Sequence, residues 1–447
     1  MTFWRPWATV AAMAWKPMRE EQTEVLVVGA GPVGLLAAVL LAEAGIRVRV
    51  IDCEERTTTR SYACALHPRV LRLLTRLGLA ADLLERGRRV EKVAFYDGPE
   101  RRAEISLAQP GSPCPFLLIL PQNALEQALE GRLRQKSGIS VNWNYRFDAS
   151  RTEDGAVVAA VERLGGTSTG YIVPHWESVV LERLAIRARF LVGADGHNSQ
   201  VRERMGLEYR RLAGPLFFAV CQFTSDAPVA NEVRVVLDEA TTNVLWPLAG
   251  NEGRWTLQLA QPAISPGSPE TAAVSQAAEF PEKERRAVHL EQRAVDERLR
   301  QYVQRMGRQR APWFSAAVQG VTWCSDVVFE ERLVTQFGRD RCWLAGDAAH
   351  QTGPLGAQSM NVGICEAESL AGRLQTILRG DATLASLQDY DLEWQAEWGR
   401  LMGLSGGPKP RSDAGDWVRR RLTRLLPCLP GSGEDLAFLA NQLALDV

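Results

Sequence analysis

The sequence predicts an α/β protein in which a parallel-sheet layer is interrupted by an inserted antiparallel-sheet domain. Three observations carry that reading. Residues 24–52 form a complete strand, glycine turn, helix, strand unit. Two later strands each run into a turn of Gly and Asp, at 190–199 and 341–350. Between them lie turn-rich stretches with alternating apolar residues. Because strand–helix units at both ends enclose the antiparallel region, the second domain is expected to be inserted rather than appended. At 447 residues the chain also exceeds one core of roughly 100–200 residues.

Val25-Leu26-Val27-Val28 is the β-branched run of a strand covered on both faces. Gly29-Ala30-Gly31-Pro32-Val33-Gly34 follows at once. Residues 35–44 read as a helix closed by a left-handed Gly45, and 46–51 as a second strand ending in Asp52. The 68–86 segment, with Val70, Leu73, Leu74 and Leu77, is an amphipathic helix, and 122–136 is another. From 145 to 189 the pattern alternates and is broken by Gly155, Gly165, Gly166 and Gly170, as in a meander of strands. Runs at 233–237, 244–248 and 255–259 are successive antiparallel strands, with turns at 241–243 and 251–253. A loop punctuated by Pro, Gly and Ser from 262 to 269 leads to a charged helix over 282–305. Parallel units resume at Arg341.

The expected division gives 1–22 to an extension and 23–92, 121–204 and 336–400 to the first domain. Residues 93–120 and 205–335 go to the inserted domain, and 401–447 to a C-terminal helical segment. In that segment 417–426 is a basic amphipathic helix. It reads first as packed on the body with its arginines in solvent, and second as a membrane-surface or partner contact.

Apolar residues make up 46% of the chain and charged residues 23%, a balance that supports folding of its bulk. Lys+Arg number 52 against 53 Asp+Glu, so no overall basic field exists to meet nucleic-acid phosphates. The eight cysteines include no C-x-x-C pair, which predicts reduced structural thiols in a cytoplasmic protein, with neither a disulfide framework nor zinc. No run approaches the ~20 apolar residues of a membrane span. Residues 8–15 are apolar but short, and the N-terminus is read as an extension rather than a signal peptide, with Met18 an alternative start.

The chemistry begins at the glycine turn. Gly29 permits the tight turn, Gly31 lets backbone N–H groups approach a pyrophosphate, and Gly34 lets the helix pack on the sheet. Asp52 can accept from a ribose. A dinucleotide follows, NAD or FAD. The next two motifs decide between them. Phe190-Leu191-Val192-Gly193-Ala194-Asp195-Gly196-His197-Asn198-Ser199, with Arg202, is one. Arg341-Cys342-Trp343-Leu344-Ala345-Gly346-Asp347-Ala348-Ala349-His350 is the other. In this order the three resemble the fingerprints of the single-component flavoprotein aromatic hydroxylases, the p-hydroxybenzoate hydroxylase-like family, over about 24–380.

The resemblance implies a Rossmann-like FAD-binding domain with an inserted antiparallel-sheet substrate domain. It implies FAD as cofactor and NAD(P)H as co-substrate. It also implies hydroxylation of an aromatic or polycyclic substrate with O2 through a C4a-hydroperoxyflavin. It puts Gly29, Gly31, Gly34 and Asp52 on the ADP half of FAD, and Arg60 and Gln122 beside the cofactor. Asp195 serves the cofactor in the second motif, and Gly346 and Asp347 meet the ribityl chain. Gly356, Met360 and Asn361 belong to the flavin's pyrimidine edge, where a helix N-terminus offers free N–H groups. The Pro354 carbonyl is a candidate acceptor for a substrate hydroxyl. Ser359 stands where the family usually has glycine, and its hydroxyl either tunes the flavin or caps its own helix.

Phe223 and Trp246, on the antiparallel strands, are candidate walls of the substrate pocket. His350 reads as structural, and His67, His175, His197 and His289 as surface or satisfied core residues. No Ser/His/Asp set, metal cluster or paired carboxylate emerges. Other flavoenzymes of this fold, a halogenase or a reductase, stay open, although the W-x-W-x-I-P signature of halogenases is absent. A non-catalytic flavin- or ligand-binding protein also stays open. The expected partner is a small aromatic molecule, not nucleic acid, and the expected assembly is a monomer or homodimer. Ending at Val447, the chain is expected to lack the thioredoxin-like third domain of phenol hydroxylase-like relatives.

Overall fold

The computed structural model describes residues 19–56, 63–109, 111–169, 175–260, 285–404 and 407–447. Val25–Val28 is buried throughout and lies inside a six-stranded sheet. Phe190–Gly193 pairs with it on one side and Val48–Asp52 on the other, both parallel. Cys342–Leu344 adds a further parallel strand beside Phe190–Gly193. A strand with no solvated face favours an unbroken apolar run, as Val-Leu-Val-Val provides. Because these strands run the same way, Val28, Asp52, Gly193 and Leu344 end at one edge. A crevice outside those carboxyl ends is where open α/β sheets bind ligands.

Helix Pro32–Glu43 leaves that edge with Gly31 as its N-cap and Pro32 at its first position. Helix Gln358–Arg379 packs along it, and the contact is made at glycine. A Cβ on Gly346 or on Gly363 would lie 2.9 Å from Val33 Cγ2, so neither position has room for a side chain. The single helix expected over 68–86 is corrected to two, Pro68–Arg76 and Ala80–Arg86, separated at Gly78 with φ +69°. The apolar spacing continues across the break, which hid it. Helix Gln122–Ser137 matches its expectation and ends at a left-handed Gly138.

The inserted domain centres on a seven-stranded sheet. Lys92–Asp97 and Glu100–Ser106 form its outer hairpin, beside Val233–Leu237, Thr242–Pro247, Glu252–Leu259, Leu216–Ser225 and Val318–Phe329. One face, with Phe218, Val220, Val235, Val244 and Trp246, joins the core of the first domain. The other, with Ala219, Phe223, Leu245, Trp255 and Leu257, joins a second core with residues of helix Arg285–Arg310. The turn expected at 241–243 lies slightly earlier. The Asp238 carboxylate accepts from the amides of Ala240 and Thr241, and strand pairing has begun by Thr242. The loop over 262–269 lies outside the described residues.

Two expectations are corrected here. Cys221 and Cys324 stand directly opposite each other on adjacent antiparallel strands, Cα atoms 4.0 Å apart, and are joined as a disulfide. Register alone brings together cysteines far apart in sequence. The expected extension over 1–22 contributes structure, since Arg19–Gln22 pairs in parallel with His175–Ala188 of the meander. Residues 1–18, and with them the choice between Met1 and Met18, lie outside the described residues.

The basic helix Asp416–Leu425 uses its apolar side internally, burying Trp417, Val418 and Leu425. Its polar side clamps the inserted sheet: Trp417 Nε1 donates to Asp97 at 3.0 Å, and Arg424 donates to the Asp238 carbonyl at 2.7 Å and to the Thr241 carbonyl. Among the described residues no helix is long and apolar enough to cross a membrane.

Beyond this helix the chain returns to the first domain, where a Cβ on Gly356 would lie 2.5 Å from the Pro427 carbonyl oxygen. Gly356→Ala therefore should push the 427–429 segment off the loop and cost about 1–3 kcal/mol of stability. Thermal melting and limited proteolysis near Pro427 check this, and wild-type values in both would refute the contact.

Candidate functional site

The three glycines of the first turn are small for different reasons. A Cβ on Gly29, whose φ is +106°, would lie 2.1 Å from the Ala194 carbonyl oxygen, and one on Gly34 would lie 2.1 Å from that of Gly29. Both are fixed by packing. A Cβ on Gly31 would meet nothing within 4 Å, and its φ of −71° suits any residue. Among the described residues nothing on the chain itself requires its smallness. The helix behind it has no side-chain cap and no acidic residue in its first turn, so its leading N–H groups are free for a ligand.

Asp52 braces the turn. Its Oδ2 accepts from the Ala30 amide at 2.6 Å and its Oδ1 from the Glu54 amide at 2.8 Å, and a carboxylate has further lone pairs beyond these two. Gln122, at the start of its helix, donates to Glu126 Oε1 at 2.7 Å. Glu126 is buried and its Oε2 has no hydrogen-bond partner among the described residues. Burial pushes its carboxyl above the usual range, and the charge of Asp52 adds to the rise. A corner with two carboxyls and an unused acceptor fits a ligand rich in hydroxyl donors. Sequence reading missed Glu126, whose signal is its position one helical turn after Gln122. Arg60 lies outside the described residues.

Asp195 is spent internally. It accepts from Ser199 Oγ at 2.6 Å and from the Val201 amide at 3.1 Å, anchoring helix Gln200–Met205, and burial raises its carboxyl above the usual range. Arg202 donates to the carbonyls of Ala348 at 2.9 Å and His197 at 2.8 Å, tying the second motif to the third.

The third motif turns at Gly346, with φ +68°, whose amide donates to Glu366 Oε2 at 2.7 Å. Glu366 Oε1 accepts from Trp398 Nε1 at 2.6 Å, and its Oε2 lies 3.0 Å from His350 Nε2. Glu366 and His350 are fully buried, and the imidazole stacks on Trp398 with centroids 3.9 Å apart. Ser359 Oγ donates to Asp347 Oδ1 at 2.5 Å and lies 3.4 Å from His350 Nδ1. Ser359 therefore does not cap its own helix, whose N-cap is the left-handed Ala357, φ +53°. Ser359, His350 and Glu366 thus lie in one line, with the Ser359 hydroxyl given to Asp347.

At the N-terminus of helix Gln358–Arg379 the Asn361 side chain is occupied. Its Oδ1 accepts from the His67 amide at 2.8 Å, and its Nδ2 donates to the carbonyls of Ala65 and Ala357 at 2.8 and 2.7 Å. Only its main chain is left for a ligand. Gln358 Nε2 donates to the Leu429 carbonyl at 3.1 Å, and Gly356 is small because of the Pro427 carbonyl rather than an open approach. Met360 and Pro354 are half-buried, Met360 against the core.

Of the two candidate pocket walls, Trp246 is on the sheet face toward the first domain, opposite Arg254. Phe223 is on the other face, edge-on to Phe314 at 5.7 Å, so its assignment to the pocket is corrected. Arg254 is a buried cation that the sequence reading passed over. Its Nη2 donates to Gln222 at 2.8 Å and its guanidinium lies 5.1 Å from the Trp323 ring. Among the described residues no cluster of three or more His, Cys, Asp or Glu could hold a metal.

A family model described as FAD binding domain matches residues 22–401. The 6-methylpretetramide 4-monooxygenase of Streptomyces rimosus is 31% identical over 391 residues, covering 86% of this chain and 61% of that protein. This chain thus spans about three fifths of that relative's length. The para-nitrophenol 4-monooxygenase of Pseudomonas sp. (strain WBC-3) is 27% identical over 394 residues, covering 83% of this chain and 82% of that protein. Among solved structures, p-nitrophenol 4-monooxygenase PnpA from Pseudomonas putida DLL-E4 superposes with a TM-score of 0.69 at 22% identity, covering 96% of each chain. That likeness is one of fold.

His67 donates from Nε2 to the Gly356 carbonyl at 2.9 Å, and burial lowers its pKa from 6.5 to about 4. Between those values the unfolded chain takes up a proton that the folded chain refuses. Stability is therefore complete above about pH 6.5 and falls as pH drops toward 4, by up to roughly 3 kcal/mol. Denaturant midpoints measured from pH 7 to 4 should show this decline, and His67→Gln should flatten part of it. An identical decline in both proteins would remove His67 as its cause.

Proposed function

We propose, from the premise that this chain belongs to the FAD binding domain family, that it is an FAD-dependent monooxygenase. It inserts one oxygen atom of O2 into an aromatic or polycyclic phenolic substrate at the expense of NAD(P)H. The observation that carries the reading is Gly31. It alone of the three turn glycines faces open space, and it does so before an uncapped helix N-terminus.

FAD, when bound and reduced by NAD(P)H, supplies the activation of O2 and its transfer to carbon. The residues around the crevice fit that cofactor. The amides after Gly31 would hold its pyrophosphate, and Asp52 with the unused Oε2 of Glu126 would take ribose hydroxyls. Asp347 would accept from the ribityl chain through the oxygen that Ser359 leaves free. The main chain of Ser359, Met360 and Asn361 would present N–H groups and a helix's positive end to the flavin's pyrimidine edge, favouring negative charge there.

Trp246, Phe218 and Arg254 share the sheet face toward the first domain and would wall the substrate side, with the Pro354 carbonyl available to a substrate hydroxyl. The Leu426–Leu429 segment, pressed on Gly356 and Gln358, backs this loop against solvent, and a dry site suppresses loss of the activated oxygen as peroxide. The names of the relatives, a nitrophenol and a pretetramide monooxygenase, support a phenolic or polyketide-like substrate.

Cofactor released from purified protein should be FAD by mass, and a panel of phenols and polycyclic polyketides should contain a compound that stimulates NADPH oxidation and acquires 18O from 18O2. FMN alone, or stimulation without labelled product, would refute the reading. Gly31→Ala should keep the wild-type melting temperature of the apoprotein, since its Cβ enters empty space, yet weaken FAD binding by roughly tenfold or more. Unchanged FAD affinity would sink the pyrophosphate assignment.

A further inference from the structure

Glu366, His350 and the Ser359 hydroxyl form a line whose inner members the proposed reaction does not use. Its inner members, Glu366 and His350, are fully buried, whereas Ser359 and Asp347 are half-buried. Glu366 receives the Gly346 amide and Trp398 Nε1, and a carboxylate that only accepts meets the His350 contact as well, so His350 carries a hydrogen on Nε2. Nδ1 then faces Ser359 Oγ.

The hydroxyl has one hydrogen and two neighbours that can take it, Asp347 Oδ1 at 2.5 Å and His350 Nδ1 at 3.4 Å. While His350 is neutral, giving the hydrogen to Asp347 leaves Nδ1 facing an oxygen lone pair, and giving it to His350 leaves the Asp347 oxygen in that position. A second proton on His350 removes the conflict. Nδ1–H donates to Ser359 Oγ, Oγ–H donates to Asp347, and every group in the line is satisfied.

We propose that Ser359 is a positioning residue that couples the protonation of His350 to the hold of Asp347 on bound FAD, with Glu366–His350–Ser359–Asp347 acting as one hydrogen-bonded relay. The coupling rests on the reading of Asp347 as a ribityl acceptor. With His350 charged, the hydroxyl pins Oδ1 and aims the second carboxylate oxygen. With His350 neutral, that hydrogen is shared and the carboxylate is less firmly oriented.

Other charged or titratable groups lie around the ring. Arg202 reaches the Ala348 carbonyl, and Arg332 stands opposite Gln351 on the neighbouring strand. Tyr209 lies beneath both guanidiniums, and Tyr390 donates to the Leu344 carbonyl. Among the described residues the ring nitrogens meet Glu366 and Ser359.

The test uses holoprotein carrying 15N-labelled histidine, with the His350 signals assigned by their loss in His350→Gln. FAD dissociation constants are measured at the same pH values. In wild type, FAD should bind about tenfold more weakly above the His350 titration than below it, a one-unit coupling. Ser359→Thr should keep this dependence. Ser359→Ala should abolish it and shift the His350 midpoint.

Identical His350 titrations in wild type and Ser359→Ala would overturn the relay. So would an FAD affinity in Ser359→Ala that follows the wild-type curve. Protein that holds no FAD at any pH would overturn the cofactor reading and the coupling together, while the histidine signals still report whether Ser359 engages the ring.

Discussion

Two helices, Pro32–Glu43 and Gln358–Arg379, pack together near their N-terminal ends at Val33, Gly346 and Gly363, and the rest of the architecture answers to that approach. Each end carries a partial positive charge, so bringing them together is unfavourable until an acceptor lies between them. Most helices relieve such an end with a capping side chain or an early acid. Neither of these has a side-chain cap, and neither has an acidic residue in its first turn. The approach is possible only because Val33 is flanked by glycine at 346 and 363. The chain thus gives up local helix stability to leave donors unanswered in one place, which is the usual physical signature of a site for a charged or acceptor-rich ligand.

The buried carboxyls around this crevice differ in how many donors the protein supplies. Glu366 receives three nitrogens and Asp195 two contacts, so both are internal fasteners. Glu126 receives Gln122 on one oxygen and leaves the other bare. Burial without full satisfaction is costly unless a further donor completes it, and in this Glu126 differs from Glu366 and Asp195.

Much of this was legible in the sequence, and the failures have physical causes. Val25-Leu26-Val27-Val28 and the glycines after it announce themselves because steric exclusion at Gly29 and Gly34 is local. The helix break at Gly78 was invisible because apolar spacing continues on both sides. Phe223 and Trp246 could not be assigned to faces, since period-two alternation says that neighbours point apart but not which side holds the substrate. Here both sides of the sheet are apolar, one against the first domain and one against a helix. The contact that excludes a side chain at Gly356 comes from Pro427, seventy-one residues on, and no local pattern announces it. The Cys221–Cys324 pairing and the Ser359–His350–Glu366 line depend on strand register and on helix packing, which no short window of sequence contains.

The same long-range closure governs how the protein is made. A chain emerging from the ribosome offers the Gly29 turn early, but Val25–Val28 has an open edge until Phe190–Gly193 arrives. The loop at Gly356 has no backing until Pro427 and Leu429 have left the exit tunnel. Contacts of such sequence separation form slowly, because loop-closure entropy is lost before packing compensates for it. The loop at Gly356 is therefore backed only after residues 427–429 have been made. Until Phe190–Gly193 pairs, the open edge of Val25–Val28 is the feature most exposed to aggregation.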